Sequence, residues 1–125
     1  MDEKRQFPRY YCRLKTRAEI VHRIKTENFV SEKKEKLKGW ILDISRGGVF
    51  IVSDASASIN RVITISFKTN NMTFDKKGIV VRTGLMNDNP VEVLDKFKNA
   101  KLKEKYYLAV QFDEAIQDID EDDIR

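Results

Sequence analysis

The sequence predicts a mainly β protein, a small antiparallel barrel with peripheral helices, and three observations predict it. Between Arg61 and Thr69, Ile63, Ile65 and Phe67 alternate with Val62, Thr64, Ser66 and Lys68. That period of two marks a strand with one buried face. Short runs rich in β-branched and aromatic residues recur along the chain, separated by polar turns at modest spacing, with few helical patterns between them. A length of 125 residues, 41% hydrophobic and 35% charged, suits one soluble domain with a single core.

Asp2 to Arg9 is polar, and Pro8 holds Phe7 extended. It is expected as a mobile arm, so that residues 1–12 form the arm and residues 13–125 the barrel domain. Leu14 to Ile24 suits a half-exposed strand, and the charged Thr26 to Lys38 is expected as a hairpin loop reaching away from the body. Trp40 to Ser53 predicts strand, tight turn and strand around Asp43-Ile44-Ser45-Arg46-Gly47-Gly48. The Asp43 and Ser45 side chains are expected to fold back on the backbone there, and Gly47 and Gly48 to permit positive φ and close approach of a ligand or another chain.

After the polar linker Ser53 to Ser58 and the alternating strand, Asn70-Asn71 predicts a turn and Thr73 to Thr83 an antiparallel partner. Asn89-Pro90-Val91-Glu92 has an N-cap, a proline at the first helical position and an early carboxylate, which predicts a short inserted helix from Pro90 to Lys101. Tyr106 to Phe112 returns to strand. Ala115, Ile116 and Ile119 then fall at helical spacing among acids, which predicts a short C-terminal helix.

Composition also narrows function. No apolar run is long enough to cross a bilayer, and Met1-Asp2-Glu3-Lys4 does not open a secretory signal, so a cytoplasmic location is expected. The lone cysteine, Cys12, has no disulfide partner and is expected to be buried and inert. The lone histidine, His22, has no second ligand or nucleophile beside it, so neither a metal site nor an enzyme is expected. The net charge is +4, yet Asp113, Glu114, Asp118, Asp120, Glu121, Asp122 and Asp123 crowd the tail. The body is therefore distinctly basic and suited to an anionic partner.

Two short motifs stand apart from the core pattern. Arg5 and Arg9, with Lys4 beside the first, present planar forks that suit phosphate or a purine edge. Asp43-x-Ser45-x-x-Gly48 is, alone, ordinary turn chemistry. Taken together, Arg5-x-x-x-Arg9 followed by Asp43-x-Ser45-x-x-Gly48 resembles the PilZ domain family. Gly78-Ile79-Val80-Val81-Arg82 and Tyr107 to Phe112 are similar to two later strands of that family, so the resemblance runs from Arg5 to about Ile119.

The resemblance implies a six-stranded β-barrel that binds the bacterial second messenger cyclic di-GMP. Carried over by position, Arg5 and Arg9 would clasp phosphates and guanine edges, with Lys4 supplying charge where many members have another arginine. Asp43 and Ser45 would hydrogen-bond a guanine, and Gly48 with Gly47 would keep the wall bare for the base. No cofactor is implied beyond this ligand. The expected role is a receptor whose arm orders on binding and signals to a downstream protein. Ala109 departs from a glycine common in the family, which bears on local packing.

Two rivals stand behind this reading. A barrel binding single-stranded nucleic acid fits the pI of about 9.2 and the aromatics Phe7, Tyr10, Tyr11 and Trp40 among basic groups. It has no need of a guanine acceptor, so it ranks second. A PilZ-like interaction module that does not bind nucleotide is disfavoured by the intact motif.

Overall fold

The computed structural model describes residues 8–70, 72–86, 102–116, 119 and 124, apart from the side chains of residues 23 and 24. Six strands are formed: β1 Tyr10–Lys25, β2 Val30–Ser45, β3 Gly48–Ser53, β4 Val62–Lys68, β5 Thr73–Leu85 and β6 Tyr106–Phe112. They close as β1-β2-β3-β6-β5-β4, every neighbouring pair antiparallel. Closure removes the sheet edges that short strands would otherwise expose, and each strand needs only one apolar face to line the interior.

The alternation in β4 sets the pattern. Ile63, Ile65 and Phe67 are buried while Val62, Thr64 and Ser66 are half-exposed. Ile20, Ile41, Ile44, Ile51, Val80 and Leu108 join them from the other strands, all fully buried. Each such side chain contributes about 1.5 to 3 kcal/mol relative to exposure. A second cluster of Leu42, Phe50, Val52 and Tyr107 lies on the opposite face of β2, β3 and β6, with Phe50 stacked on Tyr107 at 5.5 Å between centroids. Met86 and Leu102 pack against it. The outer wall of these strands is thus apolar and covered by residues flanking the 87–101 segment.

Three expectations are corrected. Thr26 to Lys38 is not a loop: β1 and β2 run on as paired 16-residue strands, and the reversal is confined to Thr26–Phe29, where the Thr26 amide donates to the Phe29 carbonyl (2.8 Å). Glu32 to Lys36 are exposed on both faces and only Leu37 is buried, so no apolar period is set there, which is why the sequence pattern concealed the strand. β1 also takes up Tyr10 to Cys12, placed at sequence level in the arm. There is no α-helix among the described residues. Residues 113–116 bend instead of opening a terminal helix, and Ile116, Ile119 and Ile124 are buried in the barrel core. The inserted helix expected at Pro90 to Lys101 lies outside the described residues.

Candidate functional site

The site is built by an irregularity in β2. Ile41 pairs with Ile51 and Asp43 with Phe50, which leaves Leu42 as an extra residue, and β1 is also irregular between Tyr11 and Leu14. Regular alternation from Ile41 would send Asp43 into the core and Ile44 out. The bulge instead lets Ile41 and Ile44 both enter the core, and Asp43 shares the outer wall with its cross-strand partners Phe50 and Tyr11. One inserted residue places a carboxylate on a wall that is otherwise apolar.

That carboxylate is met by the N-terminal leader. The Arg9 guanidinium donates from Nε to Asp43 Oδ2 at 2.6 Å, and from Nη2 to the same oxygen. The Asp43 side chain is 4% exposed and that of Arg9 22%. An isolated carboxylate at this depth would be costly, and the charge-assisted pair offsets its desolvation. Cys12, on the next stretch of β1, feels the same environment: burial, and then the Asp43 charge, push its thiol up to about 12. The thiol is half-buried and approaches the Ile41 carbonyl at 3.5 Å, so it stays neutral and unreactive.

The turn below is held from both sides. Ser45 Oγ accepts from the Gly47 amide (3.2 Å), the fold-back expected of a serine two residues earlier. Asp43 does not fold back; Arg9 takes it. None of the glycines has positive φ, which corrects the expectation for Gly47 and Gly48. What demands glycine at 48 is proximity, because an added Cβ would collide with the Val110 carbonyl oxygen of β6. Arg46 was given no role at sequence level, yet its Nε donates to the Ile116 carbonyl (2.7 Å) while the Ile116 amide donates to the Arg46 carbonyl (2.7 Å). The Phe112 amide adds a bond to the Gly47 carbonyl (2.9 Å), so the segment after β6 locks the corner.

Arg9, Asp43, Ser45, Gly47 and Gly48 thus meet at one corner of the outer wall, while Lys4 and Arg5 lie outside the described residues. At sequence level Tyr11 and Trp40 counted only as aromatics of the nucleic-acid alternative, without a place at this corner. Tyr11 stands opposite Asp43 and is 42% exposed, and Trp40 has Arg13 over its ring at 4.9 Å and Lys15 at 5.8 Å. An aromatic alternating with cations on one strand face was the available signal. His22 lies apart, paired with Glu35 at 3.0 Å on exposed strand surface.

Fold and corner together define a class: a small closed antiparallel barrel whose leader arginine is pinned to an acid-hydroxyl-glycine turn. The chain belongs to the PilZ domain family, whose model matches residues 3–125. Among solved structures it is similar to the inhibitor of motility MotI/DgrA of Bacillus subtilis, with a TM-score of 0.60 and 16% identity over 93% of this chain. The chain spans 46% of the length of that protein. It is also similar to the PilZ domain of YcgR from Escherichia coli, a structure with c-di-GMP, with a TM-score of 0.50 and 11% identity over 88% of this chain and 78% of the other. At these identities the likeness is one of fold. No curated protein matches the sequence. No helix among the described residues is long and apolar enough to cross a membrane.

Proposed function

We propose that this domain is a cyclic di-GMP receptor that passes the signal to a protein partner. The observation that carries the reading is the contact between Arg9 and Asp43, residues 34 apart in sequence that stand for the family's two ligand motifs. Cyclic di-GMP offers two anionic phosphates and two guanines. A guanidinium fork suits the first, and a carboxylate facing the N1-H and N2-H donors suits the second. Family membership and the c-di-GMP named with the YcgR domain point the same way.

The pair also suggests how binding proceeds. Asp43 Oδ2 accepts from Arg9, so a guanine that engages both carboxylate oxygens competes with the guanidinium, which can move over to a phosphate. Binding therefore exchanges one ion pair for two ligand contacts, each charge-assisted bond being worth about 1.5 to 3 kcal/mol. Ordering of the leader opposes this with about 1 to 2 kcal/mol per residue fixed. Net affinity near the micromolar level, about −8 kcal/mol, is expected. Lys4 and Arg5 add cationic reach from the leader, and Gly48 keeps the wall close and bare.

The test is a calorimetric titration with cyclic di-GMP beside its linear and cyclic-adenine analogues. Saturable heat for cyclic di-GMP alone supports the receptor. Absence of heat at hundreds of micromolar, or equal heat for the adenine analogue, overturns it.

A further inference from the structure

β2 carries an open edge. Only its residues Gly39 to Ser45 pair with β3, whereas Val30 to Lys38 pair with β1 alone among the described strands. The last backbone bond on the β3 side runs from the Asp54 amide to the Lys38 carbonyl (3.2 Å). Beyond it, alternate amides and carbonyls of residues 31–37 face away from β1; parts of β1 and β5 are likewise bonded on one side, whereas β3, β4 and β6 are paired on both sides along nearly their whole length. A row of this kind is a template for an added strand.

The outer face of that edge is mainly cationic, with Glu32 the one acid in its row of alternate residues. Leu37 is buried, so Lys36 and Lys38 lie on the opposite, outer face, and Lys34 shares it by the period of two. All three are exposed. The β1 register sets Lys36 against Glu19, but Lys34 against Val21 and Lys38 against Arg17. Like charges directly opposite destabilise a sheet pair, and an incoming carboxylate would relieve that one. Arg17 and Lys38 wall two adjoining grooves, of about 610 and 320 Å³; with Lys15 and Lys68 they exceed the acids Asp54 and Glu104 in the larger one, while Lys36 joins them against Glu19 in the smaller. Lysines do blunt edges against aggregation, yet that purpose needs no cation at Arg17 facing Lys38.

Two anionic partners could answer this charge, and the aromatic on the wall separates them. Trp40 already has Arg13 and Lys15 over its ring, so that face is not offered to a base. Stacking on open aromatics is what single-stranded nucleic acid requires. An extended peptide requires only the free backbone edge and the lysine row.

We infer that the Val30–Leu37 edge of β2 takes up an extended acidic segment of a partner protein as an added β-strand, its carboxylates meeting the side chains of Lys34, Lys36 and Lys38. This names the surface for the partner half of the proposed function and does not rest on nucleotide recognition.

The probe is a peptide of about eight residues alternating threonine and glutamate, a typical strand length or slightly more. It is titrated into the full chain without nucleotide, so that its failure leaves the calorimetric result standing, and the converse. Binding is expected to slow exchange of alternate amides between residues 31 and 37. N-methylation of alternate peptide residues, which leaves the protein untouched, should abolish it. Lys34→Glu combined with Lys36→Glu should weaken binding about tenfold or more, about 1.4 kcal/mol. Four results overturn the inference: no binding at millimolar peptide, equal binding of the N-methylated peptide, edge amides already protected in the protein alone, or an oligothymidylate that protects the same amides and displaces the peptide.

Discussion

The two halves of β2 obey different physics within one continuous strand. From Gly39 to Ser45 it is bonded on both sides, Ile41 to Ile44 are buried without a break, and a bulge turns Asp43 to the outer wall. From Val30 to Leu37 its backbone pairs with β1 alone among the described residues, and only Leu37 is buried. The closed half can hold a carboxylate in fixed geometry because packing and hydrogen bonds over-determine it. The open half keeps its backbone and its lysines available. The proposed recognition corner and the proposed docking edge therefore need no separate domains.

Substitutions should separate the halves sharply. The largest effect is expected at the corner: Gly48→Val drives a branched side chain into the Val110 carbonyl and should destabilise the fold by about 3 kcal/mol or more in urea denaturation. Next comes an asymmetry across the ion pair. Arg9→Ala leaves a buried carboxylate unpaired and should cost about 2 kcal/mol, whereas Asp43→Ala leaves a guanidinium that can reach water and should cost about half as much. Equal losses in the same denaturation series would mean that Asp43 is better solvated than its burial implies.

Cys12 gives a smaller effect that depends on pH. Burial holds the proton on its thiol up to about 12 in the fold, against an ordinary 9.0. Above pH 9 the unfolded chain binds fewer protons than the folded one, so this contribution to stability is complete below that pH and is lost as pH rises towards 12. The difference between wild type and Cys12→Ala should grow smaller across that window, and a constant difference would remove Cys12 as its source. The smallest effect belongs to the open half, where Lys36→Ala should change stability by no more than about 0.5 kcal/mol. A loss of several times that would show the ribbon to be part of the core.

Much of the closed half was legible in the sequence, because buried faces leave a period. The alternation of Ile63, Ile65 and Phe67 gave β4, and the polar corner between two apolar runs gave the β2–β3 turn. The ribbon was not legible, since Glu32 to Lys36 are all exposed and carry no apolar alternation. Nor was the bulge at Leu42, because Trp40 to Ile44 contains no break that marks an extra residue. Of the candidate site, Asp43 and Ser45 were found through turn chemistry and Arg9 through spacing. Arg46 was hidden because its partner is a main-chain carbonyl, at Ile116, about which side-chain patterns say nothing. The isoleucines of the tail were rightly apolar but wrongly helical, since burial against the barrel end needs no helix.

We propose above all that a leader guanidinium and a bulge-displaced carboxylate act together on cyclic di-GMP. The most direct measurement of this is the heat of cyclic di-GMP binding to wild type and to Arg9→Ala at matched buffer and salt. A loss of more than about 2 kcal/mol in binding free energy, roughly a thirtyfold rise in Kd, is predicted for the variant. An unchanged Kd in a folded Arg9→Ala protein would contradict the account.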